Sequence, residues 1–345
     1  MQLQCPMPKM DFDIITLGHG SGGVLTSKLL DNLVISQFTN ELLDKKADGA
    51  VFTLAGKLAF STDSYVVSPI FFPGGNIGDL AINGTVNDLA MCGAVPTYLS
   101  LSFIIEEGLK MEVFWQIIQS IKKACEDAGV QVVTGDTKVV EKGKGDQLFI
   151  NTAGIGVVHN DALLDASRIK VGDSIIVSND IAHHGMAIMS IREGLQFESD
   201  IVSDTRNLNH ICNECLTVFK GQIKLFRDPT RGGVATVLNE IAETSNVGIQ
   251  IFEKNIRLNE SVEGACELLG LEPLFVANEG VFIAIVDPSI EEAMLSLLKN
   301  NDKTKHAFCI GQISEEYPGK VIIESALKGR RIISKLVGDQ LPRIC

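Results

Sequence analysis

The sequence contains no run of about 20 apolar residues, the length that a membrane-spanning helix requires. Its first 13 residues include two prolines and no apolar core, so we expect no secretory signal peptide. Positive charge is scarce: 30 Lys and Arg face 43 Asp and Glu, for a net charge of −13. This balance disfavours nucleic acid and anionic membranes as partners. The eight cysteines, without a secretion signal, predict reduced thiols and a cytoplasmic protein.

Two familiar site motifs are also missing. There is no Walker A loop, because Lys28 lies too far beyond the glycine-rich stretch at residues 18–23. One C-x-x-C pair, Cys212 and Cys215, supplies at most half of a tetrahedral zinc site, and no second pair exists. The adjacent His183 and His184 could not easily share one metal ion, so we expect a positioning role for them at a strand-to-helix turn.

What is present is the composition of an ordinary globular protein, with 45% apolar and 21% charged residues over 345 positions. Helical and strand patterns mix in both halves, which predicts two α/β (α+β) domains at 1–160 and 170–335 and a mobile tail at 336–345. Periodicity alone does not order the strands. The predicted helices cover 77–93, 111–128, 181–193, 232–243, 261–269 and 289–298, and the predicted strands cover 51–54 and 57–60 as a hairpin, then 130–134, 147–158, 173–178, 248–252, 281–286, 307–313 and 320–323.

Acidic side chains recur beside glycine or at predicted strand ends. Hard Mg²⁺ prefers such oxygen ligands, and carboxylates from several strand ends can converge on one cleft. A turn or helix-capping role is the ordinary alternative for each residue. Asp88 is the most informative, because within the apolar run at residues 80–94 its charge needs a cation or strong hydrogen bonds. The full set is Asp48, Asp63, Asp88, Asp136 and Asp228.

Other residues could serve phosphate chemistry. Residues 228–233 begin a predicted helix. Its glycines leave the N-terminal backbone amides accessible, and Arg231 adds a guanidinium group beside them. Lys138 could place an ammonium near a phosphate, and Glu279 offers a carboxylate next to glycine. A capping turn explains the first feature equally well, and surface ion pairs explain the other two. The glycine-rich stretch at 18–23 is either a phosphate-binding loop or a flexible turn.

The chain ends in Cys345, beyond the last strongly patterned element. A core thiol is not expected at a chain end, where order is poorest. A thiol on a thin arm of about ten residues could instead reach roughly 33 Å and be carried between two sites. The alternative is a frayed end with an incidental cysteine.

Taken together, these motifs resemble the HypE family of hydrogenase maturation factors, which are carbamoyl dehydratases. The resemblance spans nearly the whole chain in the family's order, and the cysteine-terminated tail is its most specific mark. Its motifs are residues 18–23, 61–93, 135–138, 227–233, 278–280 and 342–345.

The resemblance implies an aminoimidazole ribonucleotide synthetase-like fold, shared with selenophosphate synthetase. In this fold an N-terminal mixed sheet binds ATP and forms the homodimer interface, and a second α/β domain packs on it. It also implies Mg²⁺ ligands, nucleotide contacts and catalytic residues. The implied metal ligands are Asp48, Asp88 and Asp228; the nucleotide contacts are Gly20, Ser21, Gly22, Asp63, Gly135, Asp136, Thr137 and Arg231; the catalytic residues are Cys345, Glu279 and Lys138.

The implied activity is ATP-dependent dehydration of an S-carbamoyl group on Cys345 to a thiocyanate, which supplies cyanide for the iron of [NiFe] hydrogenase. The implied partners are a carbamoyltransferase that loads Cys345 and an iron-binding scaffold complex that accepts cyanide. Three alternatives stay open: another ATP-dependent amide-activating enzyme of the superfamily, a non-catalytic nucleotide-gated thiol carrier, and a redox protein that uses Cys345 with Cys212 and Cys215.

Overall fold

The computed structural model describes residues 6–194, 201–336, 338, 341 and 343–345. Short 3₁₀ turns and one π-helical turn at Leu30–Val34 connect the longer elements. The α-helices of the described residues are α1 (Val24–Leu29), α2 (Ile77–Met91), α3 (Met111–Ala128), α4 (His183–Arg192), α5 (Asn209–Phe219), α6 (Gly233–Ser245), α7 (Glu260–Leu269) and α8 (Glu291–Lys299). Their strands are β1 (Leu58–Tyr65), β2 (Phe71–Phe72), β3 (Gly75–Asn76), β4 (Ala94–Glu106), β5 (Gln131–Val140), β6 (Leu148–Val158), β7 (Ser174–Val177), β8 (Ile223–Arg227), β9 (Gly248–Phe252), β10 (Ile283–Val286), β11 (Phe308–Ser314), β12 (Val321–Glu324) and β13 (Arg330–Ile333).

The first sheet has the strand order β1-β6-β4-β5 and is mixed, because β4 and β5 run parallel and the other pairs run antiparallel. Side chains alternate between its two faces. The inner face packs on α2 and α3, with Leu101 and Phe103 in the same core as Phe114 of α3. The outer face leaves Phe60 and Ile104 exposed by 70% and 46%. One face of this sheet is therefore available to another surface.

Helix α3 forms as the sequence predicts. Its amphipathic pattern buries Phe114, Ile117 and Ile121 in the core that it shares with α2 and the first sheet, and Gly129 ends it in the left-handed conformation with φ of 73°. Helix α2 is buried on nearly every side because it lies between the first sheet and the second half of the chain, where it contacts α5 and β8. This central position explains why nearly all of its residues are buried, including the polar residues Asn83, Thr85 and Asn87.

The second sheet has the order β13-β12-β9-β11-β7-β10-β8, with β9 and β12 parallel and the other pairs antiparallel. Helices α6 and α7 contribute to the core on one face, and α5 and α8 contribute to the core on the other. Both halves of the chain thus combine a mixed sheet with helices, which confirms the predicted α/β class. None of the helices in the described residues is both long and apolar enough to span a bilayer.

The predicted hairpin at residues 51–60 is wrong. Residues 51–57 are not in a strand, and β1 begins at Leu58 and pairs with β6 through Leu58 and Val157. Phe52 instead packs its ring against Tyr98 of β4, with ring centroids 4.6 Å apart. The apolar pattern before β1 therefore reflects packing on the outer face of the sheet and not strand pairing.

Candidate functional site

Four carboxylates approach one another between the first sheet and the second half of the chain, and we call them the acidic cluster. Asp63 is on the inner face of β1, Asp88 is in α2, Asp228 follows β8, and Glu279 precedes β10. Each of the other three acts electrostatically on Glu279 and raises its pKa. The fold therefore gathers three of the predicted acidic residues around the predicted base.

Burial and mutual repulsion weaken the acidity of this cluster. Burial raises the pKa of Asp88 to about 7, and the charge of Asp228 adds to the effect. The hydroxyl of Ser61 donates to Asp88 Oδ2 at 2.7 Å and opposes the rise. Burial also raises the pKa of Asp228, and it raises the pKa of Glu279 well above 4.5, with Asp204 as the next cause.

The donor set suits a hard cation. All of its ligating atoms are carboxylate oxygens, which Mg²⁺ prefers, and a cation would relieve their repulsion. Arg227 acts on Asp88 and Asp228, but it also forms an ion pair of 2.6 Å with Glu240. Across the described residues, no three His, Cys, Asp or Glu side chains already stand as a metal-ligand group. The chemistry of the cluster thus fits Mg²⁺, and the ligand geometry is not preformed.

Asp48, the third predicted metal ligand, lies away from secondary structure in an exposed loop before β1. The structure therefore groups Asp88 and Asp228 with Asp63 and Glu279, and it places Asp48 on the surface.

The backbone around Glu279 is held by two residues that sequence analysis did not identify. Asp204 is buried, and its two carboxylate oxygens accept from the amides of Glu279 at 3.2 Å and Gly280 at 3.1 Å. Asn278, which the motif contained without a role, accepts from Ala182 N at 2.7 Å and donates to Pro229 O at 2.9 Å. Asn278 thus joins the start of α4 to the loop after Asp228. No local pattern marks Asp204, because its partners are 75 and 76 residues away.

A second group of predicted residues lines a cavity of about 270 Å³ at β5, the edge strand of the first sheet. Gly20 must be glycine here, because a Cβ would lie 2.7 Å from the backbone nitrogen of Val139. The wall opposite the glycines is apolar and includes Leu30, Val34 and Phe38. The predicted nucleotide and catalytic residues on this cavity are Gly20, Gly22, Gly135, Asp136, Thr137 and Lys138.

Ser21 lies in the same loop, exposed, and its hydroxyl donates to Gly18 O at 3.0 Å. Its side chain thus stabilises the turn that carries Gly20 and Gly22.

Lys138 and Glu279 lie on different sides of the first sheet. Lys138 is paired with Ile104 of β4, which is paired in turn with Phe149 of β6, so the three form a row across the outer face. Lys138 also contacts Asp136 on the same face at 2.7 Å. The acidic cluster that includes Glu279 faces α2 on the inner side.

A third group meets at the carboxyl-terminal arm, by which we mean the described residues Leu341, Arg343, Ile344 and Cys345. The arm lines a cavity of about 380 Å³ together with Arg231 and Gly232 at the start of α6. Gly233 follows with φ of 60°, and a Cβ there would lie 2.5 Å from Leu274 O. The backbone thus requires glycine where the helix opens toward Cys345.

The arm is docked at the end of β1. Arg343 forms an ion pair of 2.6 Å with Asp146, donates to Val66 O at 2.9 Å, and lies over the ring of Phe149 at 5.8 Å. The side chain of Ile344 is 3% exposed and belongs to the first core. Cys345 is half-buried at the margin of that core.

The C-x-x-C pair has a structural position. Cys212 and Cys215 are buried in α5 among apolar residues, and burial raises the pKa of both thiols, that of Cys215 to about 12. Neither forms a disulfide. Because the thiolate is the reactive form, these thiols are poorly suited to redox or zinc chemistry.

Comparison with known proteins agrees with this arrangement. The family described as AIR synthase related protein matches in two parts, the N-terminal domain at residues 46–158 and the C-terminal domain at 170–324. The carbamoyl dehydratase HypE of Bradyrhizobium diazoefficiens is 47% identical over 332 residues, which cover 96% of each chain.

Solved structures agree as well. A crystal structure of the hydrogenase maturation protein HypE in complex with ATP has a TM-score of 0.92 and 45% identity, and the match covers 96% of this chain and 99% of that one. A crystal structure of a HypE–HypF complex matches with a TM-score of 0.79 and 43% identity over 89% and 99% of the two chains. The family predicted from the motifs is confirmed, and this chain belongs to the carbamoyl dehydratase HypE family of AIR synthase related proteins.

Proposed function

We propose that this protein is an ATP-dependent carbamoyl dehydratase that converts an S-carbamoyl group on Cys345 into an S-cyano group. The observation that carries the proposal is the docked arm, whose Cys345 shares one cavity with Arg231 and the start of α6. Two comparisons support it: a relative of 47% identity is named a carbamoyl dehydratase, and a relative of 45% identity binds ATP.

The overall reaction removes one water from a primary amide. Oxide is a poor leaving group, so the amide oxygen first attacks the terminal phosphorus of ATP and ADP departs. The two N–H protons are then removed, the C–O bond breaks, and inorganic phosphate leaves with the oxygen. Cys345 remains as a thiocyanate, and the products are ADP and phosphate.

The arm's cavity provides groups for the phosphoryl transfer. The Arg231 guanidinium and the N-terminal amides of α6 are suited to phosphate oxygens. The glycine-lined cavity at β5 would hold other parts of the nucleotide through Gly20, Gly22 and residues 135–137, with its apolar wall available to the base. In phosphoryl transfer, such positioning supplies most of the catalysis.

Glu279 is the proposed base for the amide N–H. Glu279 can accept a proton only when it is ionised. Its raised pKa opposes ionisation, and positive charge brought to the acidic cluster would reduce this effect. Mg²⁺, when bound, would neutralise triphosphate charge, and Asp88 and Asp228 would hold it, with Asp48 as the third proposed ligand. The ability of Glu279 to take a proton would thus depend on how much of the negative charge of the neighbouring carboxylates is neutralised.

Lys138 is proposed to stabilise charge on the transferring phosphoryl group. It lies in the same outer-face row as Phe149, over which Arg343 of the arm is placed. Since adjacent strands are about 4.8 Å apart, the backbones at Lys138 and Phe149 are separated by about 10 Å.

We also propose a homodimer formed through the outer face of the first sheet. Leu58, Phe60, Val95 and Ile104 expose between 43% and 70% of their surface there. A second copy would remove this apolar area from water and would bring Lys138 into the interface.

A carbamoyltransferase of the HypF type is the proposed donor to Cys345, because a HypE relative of 43% identity is found in complex with HypF. The proposed acceptor of cyanide is an iron-binding maturation scaffold, and the cytoplasm is the proposed compartment.

The test is intact mass spectrometry of S-carbamoylated protein before and after addition of Mg-ATP. We expect the carbamoylated species to lose the mass of one water, with dependence on ATP and on Cys345. Cys345→Ala removes the acceptor, and Cys92→Ala is the matched control because Cys92 is an exposed thiol on the surface.

An unchanged mass with ATP bound would overturn the dehydratase assignment and favour a nucleotide-gated thiol carrier. ATP turnover that continues in Cys345→Ala at the wild-type rate would indicate a different amide-activating enzyme.

A further inference from the structure

Main-chain oxygens of three consecutive arm residues each accept a hydrogen bond from the body of the protein. The Arg192 guanidinium donates to Arg343 O, His184 Nε2 lies 2.8 Å from Ile344 O, and Val66 N donates to the main-chain carboxylate oxygen of Cys345 at 3.2 Å. Ser68 N also donates to Arg343 O at 3.4 Å. The backbone of the arm is therefore held over successive residues.

His184 is the buried member of this set. Its ring is fully buried, packs edge-on against Phe72 with ring centroids 5.5 Å apart, and places Nδ1 2.8 Å from Ser203 Oγ. A carbonyl oxygen can only accept, so Nε2 must carry the hydrogen that faces Ile344.

The other ring nitrogen then has a defined role. Burial lowers the pKa of His184, so the ring is neutral and Nδ1 accepts from the Ser203 hydroxyl. Ser203 Oγ in turn accepts from Thr205 N at 3.1 Å. The chain of donors thus runs from Thr205 through Ser203 and His184 to the arm.

The same short segment also holds the proposed base. Ser203 N donates to Pro73 O at 2.8 Å, which fixes the segment against the first half of the chain. The next residue, Asp204, accepts from the amides of Glu279 and Gly280. Adjacent residues therefore align the histidine that contacts the arm and the backbone of Glu279.

Arg192 connects the arm to the chain beyond β1. Its Nε donates to Ser68 O at 2.6 Å, while its terminal nitrogen donates to Arg343 O. The two bonds join residue 68 and the arm through one rigid planar group.

We propose that His184, aligned by Ser203 and assisted by Arg192, forms a binding site for the backbone carbonyls of the arm. His184 is a positioning residue for Cys345 and takes no part in bond making. The importance of Cys345 rests on the proposed function, whereas docking of the arm can be measured without it.

The experiment measures amide hydrogen exchange at Val66 and Ser68 in the full chain, without ATP and without a carbamoyl group. His184→Gln keeps an N–H donor and an oxygen acceptor, and His184→Phe fills the site without either. We expect His184→Phe to speed exchange at Val66 by about tenfold, because a buried carbonyl loses its donor. His184→Gln should stay within about threefold of wild type.

A chain lacking residues 341–345, and therefore the whole arm including Arg343, provides the reference in which no arm can dock on Val66. Exchange at Val66 should be fast in this chain and should not respond further to His184→Phe. The proposal is overturned if truncation leaves Val66 exchange unchanged, if Gln and Phe behave alike, or if the effect of Phe persists without the arm. Since the readout needs no turnover, failure of dehydration would leave its result unaffected.

Discussion

Shortening the side chain of Ile344 should release the arm in proportion to the apolar volume removed. Ile344 is 3% exposed and lies in the first core with Ile188 and Ala277. In such positions Ile→Val costs about 0.5–1.5 kcal/mol and Ile→Ala about 2–5 kcal/mol. If this free-energy cost applies to docking of the arm, each 1.4 kcal/mol raises the undocked fraction about tenfold. Ile344→Val should then raise that fraction roughly 2- to 12-fold, and Ile344→Ala at least about 30-fold.

Carboxypeptidase digestion followed by intact mass measures this fraction, since the enzyme cleaves only an arm that has left its site. While opening is fast relative to cleavage, the rate follows the undocked population. Synthetic peptides of the last ten residues, carrying each substitution, correct for the intrinsic preference of the protease. The increase stops when the arm is fully undocked, so the Val variant is the more informative one. Equal corrected rates for wild type, Val and Ala would refute the idea that burial of Ile344 holds the arm.

Three further substitutions test other parts of the structure. Glu279→Gln should slow dehydration of carbamoylated protein by about 10²–10⁴, and an unchanged single-turnover rate would exclude Glu279 as the base. Burial is the main cause that raises the pKa of Asp79 from 3.8 to about 7. As pH rises, Asp79 therefore ionises first in the unfolded chain, and the folded state loses stability between about pH 4 and pH 7. Asp79→Asn should therefore raise the free energy of unfolding by roughly 1–4 kcal/mol at pH 8 and leave it little changed near pH 4, as measured by urea titration; a destabilised variant at pH 8 would contradict this sign. Phe60→Asp should convert the proposed dimer to a monomer in light scattering, whereas Leu327→Asp, at a 95% exposed position elsewhere, should not; identical masses for both variants would argue against the outer-face interface.

Local sequence patterns are sufficient to predict an element when one of its faces is buried and a specific residue marks its end. Helix α3 has both an amphipathic pattern and Gly129 at its C-terminus. Strand β4 is the longest strand described and also has one buried face, but Pro96 and a register shift before Tyr98 interrupt its alternation. Alternation therefore predicts no strand at residues 94–106, and the apolar residues before β1 have the pattern of a hairpin partner although they form no strand.

The motifs identified residues of the site but not their distribution in space. Asp63, Asp228 and Glu279 converge on Asp88 because β1, the loop after β8 and the segment before β10 meet beside α2. Lys138 belongs to a different face of the sheet, which follows only from the register of β5 on β4.

The residues that support the site were harder to find. Asp204 acts through backbone amides about 75 residues away, and His184 acts on a carbonyl 160 residues away. Such contacts depend on tertiary packing, and a pattern of neighbouring residues does not encode them.

The hydrogen bonds from Arg192, His184 and Val66 all end on main-chain oxygens of the arm. Main-chain oxygens are the same whether the sulfur of Cys345 carries hydrogen, a carbamoyl group or a cyano group. These bonds therefore contribute equally to the affinity for substrate, product and empty arm. These bonds therefore do not favour release of the cyano form over binding of the carbamoyl form. Any such preference must come from groups that touch the sulfur substituent or the nucleotide.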